Sequence, residues 1–73
     1  MFIKIKNTRI NFDCVQSYYP SYSESTQKYH LNICYSNSVD DDDIIVFQTE
    51  EEIKTVIQTL DFLTKTFDIE TEL

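Results

Sequence analysis

An α+β domain is expected of this chain: a small antiparallel sheet of three to four strands with one long C-terminal helix packed on one face, in the order β-β-β-β-α. Apolar and polar residues alternate through Met1 to Lys6 and again through Lys28 to Ser36, which is the period of a half-buried strand. Near the other end, Ile53, Val56, Ile57, Leu60, Leu63 and Phe67 recur at three- and four-residue steps and form the stripe of an amphipathic helix. With 73 residues there is room for one domain, 1–73, because a chain this short buries only about 60% of its unfolded surface.

The helix signals agree with one another. Thr49 followed by Glu52 reads as a capping box, in which the threonine hydroxyl accepts from the backbone three residues on and the glutamate reaches back to the threonine N–H. Glu50, Glu51 and Glu52 put negative charge on the first turn, where the helix dipole favours it. From Thr49 to Phe67 the helix would span roughly 27 Å, enough to cover a small sheet. Ile53, Val56, Ile57, Leu60 and Leu63 are expected to be buried against that sheet.

Taken in order, Met1 to Lys6 and Arg9 to Phe12 read as a hairpin turning at Asn7 and Thr8, with Asn7 best suited to a left-handed conformation. Val15 to Tyr19 extends as another strand or continues the second one past a bulge, and Pro20 ends it by removing a ladder donor. Residues 21–27 are polar and read as a loop. Lys28 to Ser36 alternates cleanly, with Tyr29, Leu31, Ile33 and Tyr35 on one side. Asp43 to Gln48 is a short strand whose Ile44 and Val46 face away from Ile45 and Phe47; it is either covered twice or carries one sticky face. Residues 68–73 read as a frayed acidic tail.

Charge is unevenly placed. The chain carries a net charge of -7. Residues 1–36 hold four bases against two acids, giving +2, and residues 37–73 hold two bases against eleven acids, giving -9. Direct nucleic-acid binding needs a concentrated basic surface and is not expected; a basic protein surface is the favoured partner. No apolar run approaches the ~20 residues that cross a bilayer, and the N-terminus lacks the apolar core of a secretion signal. A cytoplasmic protein with Cys14 and Cys34 as reduced thiols is expected.

No catalytic constellation is legible, and no cofactor or metal is expected. Without glycine neither a phosphate-cradling loop nor a dinucleotide motif can be argued. His30 and Cys34 sit four apart on a strand, roughly 13 Å, too far for a nucleophile and its base. Adjacent aspartates at Asp40, Asp41, Asp42 and Asp43 depart from the alternate spacing and glycine turn of a calcium loop. The expected contact residues are these four aspartates, Glu50, Glu51 and Glu52, and a tyrosine- and serine-rich loop presenting Tyr18, Tyr19 and Tyr22, the composition of binding loops.

Small size, a pI near 4.3, a strand-rich body with one helix and clustered acids together resemble the small acidic inhibitors of phages and mobile elements, among them anti-CRISPR and anti-restriction proteins. The resemblance is one of overall character and carries no motif or residue across. It implies a non-enzymatic inhibitor whose carboxylates occupy a basic surface that a host defence nuclease complex keeps for nucleic acid, working in the host cytoplasm. The competing expectation is a self-associating structural or adaptor protein, possible as a homodimer, with a solubilising acidic face.

Overall fold

The computed structural model describes residues 1–36 and 42–67. Five strands and one helix follow in order: β1 (Phe2–Ile5), β2 (Thr8–Asn11), β3 (Val15–Ser23), β4 (Lys28–Tyr35), β5 (Asp43–Phe47) and α1 (Glu50–Leu63). All strand pairs are antiparallel, so the α+β class holds. The strands divide into two sheets rather than one: β1 pairs with β2, and β3, β4 and β5 form a meander with β4 in the centre. The division arises at the turn after β2. There the Asn11 side chain accepts from the Asp13 N–H at 3.1 Å and the Asn11 carbonyl from the Cys14 N–H at 3.1 Å, an Asx-type turn that redirects the chain. The hairpin thus joins the core without extending the sheet.

Register sorts the larger sheet into two faces. Rows Tyr18–Ile33–Asp43, Pro20–Leu31–Ile45 and Tyr22–Tyr29–Phe47 alternate with rows Tyr19–Asn32–Ile44 and Ser21–His30–Val46. The first set faces the core, because Leu31, Ile33, Ile45 and Phe47 are buried with Ile53 and Leu60 of α1 and Ile5 and Ile10 of the hairpin. Helix and hairpin share that face, and the other is open. Ile44 is 57% exposed and Val46 41%, so β5 has one sticky face.

Four sequence expectations give way here. Pro20 does not end β3, which runs nine residues to Ser23; β3 is an edge strand, where a missing donor can face outward. The left-handed residue of the first hairpin is Lys6, at φ 55°, and not Asn7; the Lys6 ammonium, which donates to the Val46 carbonyl at 2.5 Å and lies 4.7 Å above the Phe47 ring, holds it there. The helix stops at Leu63, four residues before Phe67, in a Schellman motif: Thr66 N–H to the Asp61 carbonyl at 2.9 Å and Lys65 N–H to Phe62 at 3.3 Å, with Lys65 at φ 56°. Leu63 and Phe67 accordingly lie off the buried stripe, 43% and 87% exposed. The N-terminal cap forms on one side only, Thr49 Oγ1 accepting from the Glu52 N–H at 3.2 Å. The Glu52 carboxylate takes the Thr49 hydroxyl at 3.3 Å in place of its N–H.

Candidate partner-binding surface

Strand β5 separates the acids that the sequence brings together. Asp42 is exposed at its start, and Glu50, Glu51 and Glu52 are exposed on the first turn of α1, beyond its far end. A five-residue strand spans about 16 Å, twice the ~8 Å over which physiological salt screens charge. Among the described residues, Asp42 and the Glu50–Glu52 carboxylates are therefore set apart and do not form one continuous row. Asp40 and Asp41 lie outside the described residues, as does the tail 68–73.

Asp43 has a different occupation. Its Oδ2 accepts the Tyr35 hydroxyl at 2.6 Å on the core side of the sheet. Burial, and then the hydrogen bond and charge of Asp43, push the Tyr35 phenol well above its ordinary value. This carboxylate fastens the start of β5 to the end of β4 and is held inward. The sequence hides the pair because the two residues are eight apart in the chain; their shared face follows only from the β4–β5 register.

The three tyrosines also part company. All lie on β3 and none on a loop. Tyr18 faces the core, half-buried, with its ring 6.0 Å from Phe12 and its hydroxyl bonded to Asp61 of the helix at 2.7 Å. Its expected exposure is overturned, since after the register shift between Val15 and Ser17 the odd positions of β3 face out and the even positions in. Tyr19, 51% exposed, stands on the open face. Tyr22 is on the core side but overhangs the sheet, its ring 4.9 Å from Tyr29.

Beside Tyr22 an open groove runs between the β3 edge and α1. Pro20, Tyr22, Tyr29, Ile53 and Ile57 give it apolar walls, with Glu50, Lys54 and Gln58 along the helix side. Its volume is about 420 Å³, and the Glu50–Glu52 patch begins at its mouth. Among the described residues no cation lies within ion-pair distance of these glutamates; the one ion pair joins the Met1 amino group to Asp13. Nor do the described residues contain a group of three metal-ligating side chains, or a helix long and apolar enough to cross a membrane. Cys14 and Cys34 are free thiols, and His30 sits half-buried on the open face between Ser21 and Val46.

Compared with protein-family models, curated proteins and solved structures, the chain gives no significant match.

Proposed function

We propose that this protein is a non-enzymatic binding module that docks on a basic protein surface through the start of α1 and the groove beside it. The observation that carries the reading is that Glu50, with no cation in ion-pair distance among the described residues, lines the apolar groove walled by Tyr22 and Tyr29, while Glu51 follows it on the same helix turn. Aromatic anchors beside a charged rim are the composition of an energetic interface centre. A lysine- or arginine-bearing segment satisfies both parts, its aliphatic stem on the tyrosines and its charge on the glutamates. The preferred partner is a nuclease complex of host defence, whose basic nucleic-acid channel meets the acidic half of this chain in the cytoplasm.

The test is nuclease inhibition and binding kinetics with a panel of RNA-guided and restriction nucleases. One variant carries Asp42→Asn, Glu50→Gln and Glu51→Gln together. It leaves Asp43 to Tyr35 and Glu52 to Thr49, so the fold should survive with a loss of a few tenths of a kcal/mol to about 2 kcal/mol from the helix dipole. The parent should inhibit at least one nuclease in competition with its nucleic acid, and the variant should associate more slowly, the difference shrinking as salt rises. Equal inhibition by parent and variant at low salt sinks the reading.

A further inference from the structure

We propose that the basic partner is held as an added β-strand. An extended segment of it, carrying a lysine or arginine and, two residues along, an aliphatic side chain, pairs with the free edge of β3 and fills the groove beside α1. This mode rests on the binding reading above and adds the backbone of β3 to the contact.

The outer edge of β3 carries unpaired backbone groups whose direction is fixed. The Tyr19 carbonyl points toward β4, where it accepts from Asn32 Nδ2 at 3.2 Å, and the backbone groups of successive residues in a strand point to alternate edges. The carbonyls of Tyr18, Pro20 and Tyr22 and the N–H groups of Tyr18 and Tyr22 therefore point off the sheet. Pro20, which has no N–H, suits that direction. Among the described residues no strand pairs with this edge, although β3 is the longest strand of the fold. The opposite edge of the sheet is guarded, because the Lys6 ammonium donates to the Val46 carbonyl of β5 and a lysine is a common device against strand pairing.

Edge and groove are one site. Tyr18, Pro20 and Tyr22 turn their backbone groups outward and their side chains to the core side of the sheet, under the flank of α1. A strand laid on β3 at about 4.8 Å directs alternate side chains into the groove, where half-buried Ile57 awaits apolar cover. An antiparallel segment finds every backbone partner except the donor that Pro20 lacks. Charge fixes where the cation goes. Asp61 near the end of α1 meets Tyr18, so the start of the helix, with Glu50, lies toward Tyr22. Glu24, exposed in the turn that follows β3, adds a second acid at that end, and the Lys28 ammonium there is already donated to Gln48. One turn further along the groove, Lys54 disfavours a second cation. A single cation at the Tyr22 end, followed on the same face by an aliphatic side chain, meets these conditions.

Two capped hexapeptides, Thr-Arg-Thr-Val-Thr-Val and its reversed sequence, present these side chains in the two strand directions and test the mode. One of them should bind with Kd on the order of 0.1–1 mM and slow amide hydrogen exchange at Tyr18 and Tyr22 by about tenfold at saturation. Methylating one alternate set of its backbone nitrogens should abolish binding, and methylating the other set should change Kd by less than about threefold, because only one set of N–H groups faces β3. Glu50→Gln and Tyr22→Ala should each weaken the peptide severalfold, the first effect fading as salt rises. Equal effects of the two methylated sets would overturn strand addition and leave the groove as the site. Indifference to both Glu50→Gln and Tyr22→Ala would overturn the groove as well. The proposal also fails if neither peptide binds at about 10 mM, or if Tyr18 and Tyr22 become protected without peptide as protein concentration rises, which assigns the edge to a second copy.

Discussion

Tyr18 of the edge strand donates its phenol hydroxyl to Asp61 of the helix across 2.7 Å, and the same oxygen lies 3.2 Å from Thr64 Oγ1. The bond ties α1 to β3 near the helix end, where Leu63 has left the buried stripe. Tyr18→Phe keeps the ring against Phe12 and loses only the bond, so it should lower stability by about 1 kcal/mol. Tyr18→Ala also removes the half-buried ring and should cost about 2 to 4 kcal/mol. Urea midpoints of the two variants measure the difference, and equal losses would mean that the ring contributes nothing.

Leu60, 1% exposed, and Leu63, 43% exposed, separate the true helix face from the inferred one. Leu60→Ala should cost about 2 to 5 kcal/mol, enough to unfold a marginal domain. Leu63→Ala should change stability by about 0.5 kcal/mol or less. Thermal melts of both variants decide it; a Leu63→Ala loss as large as that of Leu60→Ala would place the buried stripe further along the chain.

These two leucines also show how far the sequence could be read. Ile53, Val56, Ile57 and Leu60 were legible because burial repeats at the helical period, and Leu31 and Ile33 because it repeats at two. Leu63 continues the same pattern, but the helix ends there through backbone bonds to Asp61 and Phe62 that no glycine announces. Tyr18, Tyr19 and Tyr22 read as one loop because Pro20 looks like a terminator; only an edge position makes it tolerable, and edge position is a property of pairing. The Asp43–Tyr35 bond and the groove at Tyr22 likewise depend on register between strands, which a single sequence leaves open wherever turns lack the glycine signals that specify loop geometry.

Gln27 closes the β3–β4 turn in a left-handed conformation at φ 57°, with its N–H bonded to the Ser23 carbonyl at 2.7 Å. A side chain with a Cβ is disfavoured there by about 1 to 2 kcal/mol, and glycine gives back roughly 0.5 to 1 kcal/mol through greater unfolded-state entropy. Gln27→Gly should therefore raise stability by about 0.5 kcal/mol, and Gln27→Val should lower it. Denaturant midpoints moving the same way for both would contradict the turn.

Alkaline pH acts on Tyr35. Its raised phenol value means that the folded chain holds a proton which the unfolded chain releases above about pH 10. The stabilisation is complete below that pH and is lost as pH rises further. Tyr35→Phe should destabilise the protein near neutrality by about 1 kcal/mol, since Asp43 loses its donor. The same variant should show a shallower fall in stability between neutral and strongly alkaline solution, followed by denaturant titration. A parallel fall in both proteins would show that Tyr35 ionises freely.

Tyr22 and the helix-start glutamates should divide the kinetics of partner binding between them. Exposed rim charges act on encounter, so the Glu50→Gln, Glu51→Gln pair should slow association and leave dissociation nearly unchanged. Tyr22 shares its groove with Tyr29 and Ile57, and in the proposed complex it would engage the partner only after contact. Tyr22→Ala should speed dissociation by about 30-fold, the equivalent of 2 kcal/mol or more at an anchor residue, with association within a few-fold of the parent. Its stability loss should be small because half of the side chain is already in solvent and what it gives up is mainly the contact with Tyr29. Surface plasmon resonance against an inhibited nuclease, at two salt concentrations, separates the effects: the glutamate variant should converge on the parent at high salt, and Tyr22→Ala should not. If Tyr22→Ala dissociates like the parent, the groove is outside the interface and the carboxylates bind without an aromatic anchor.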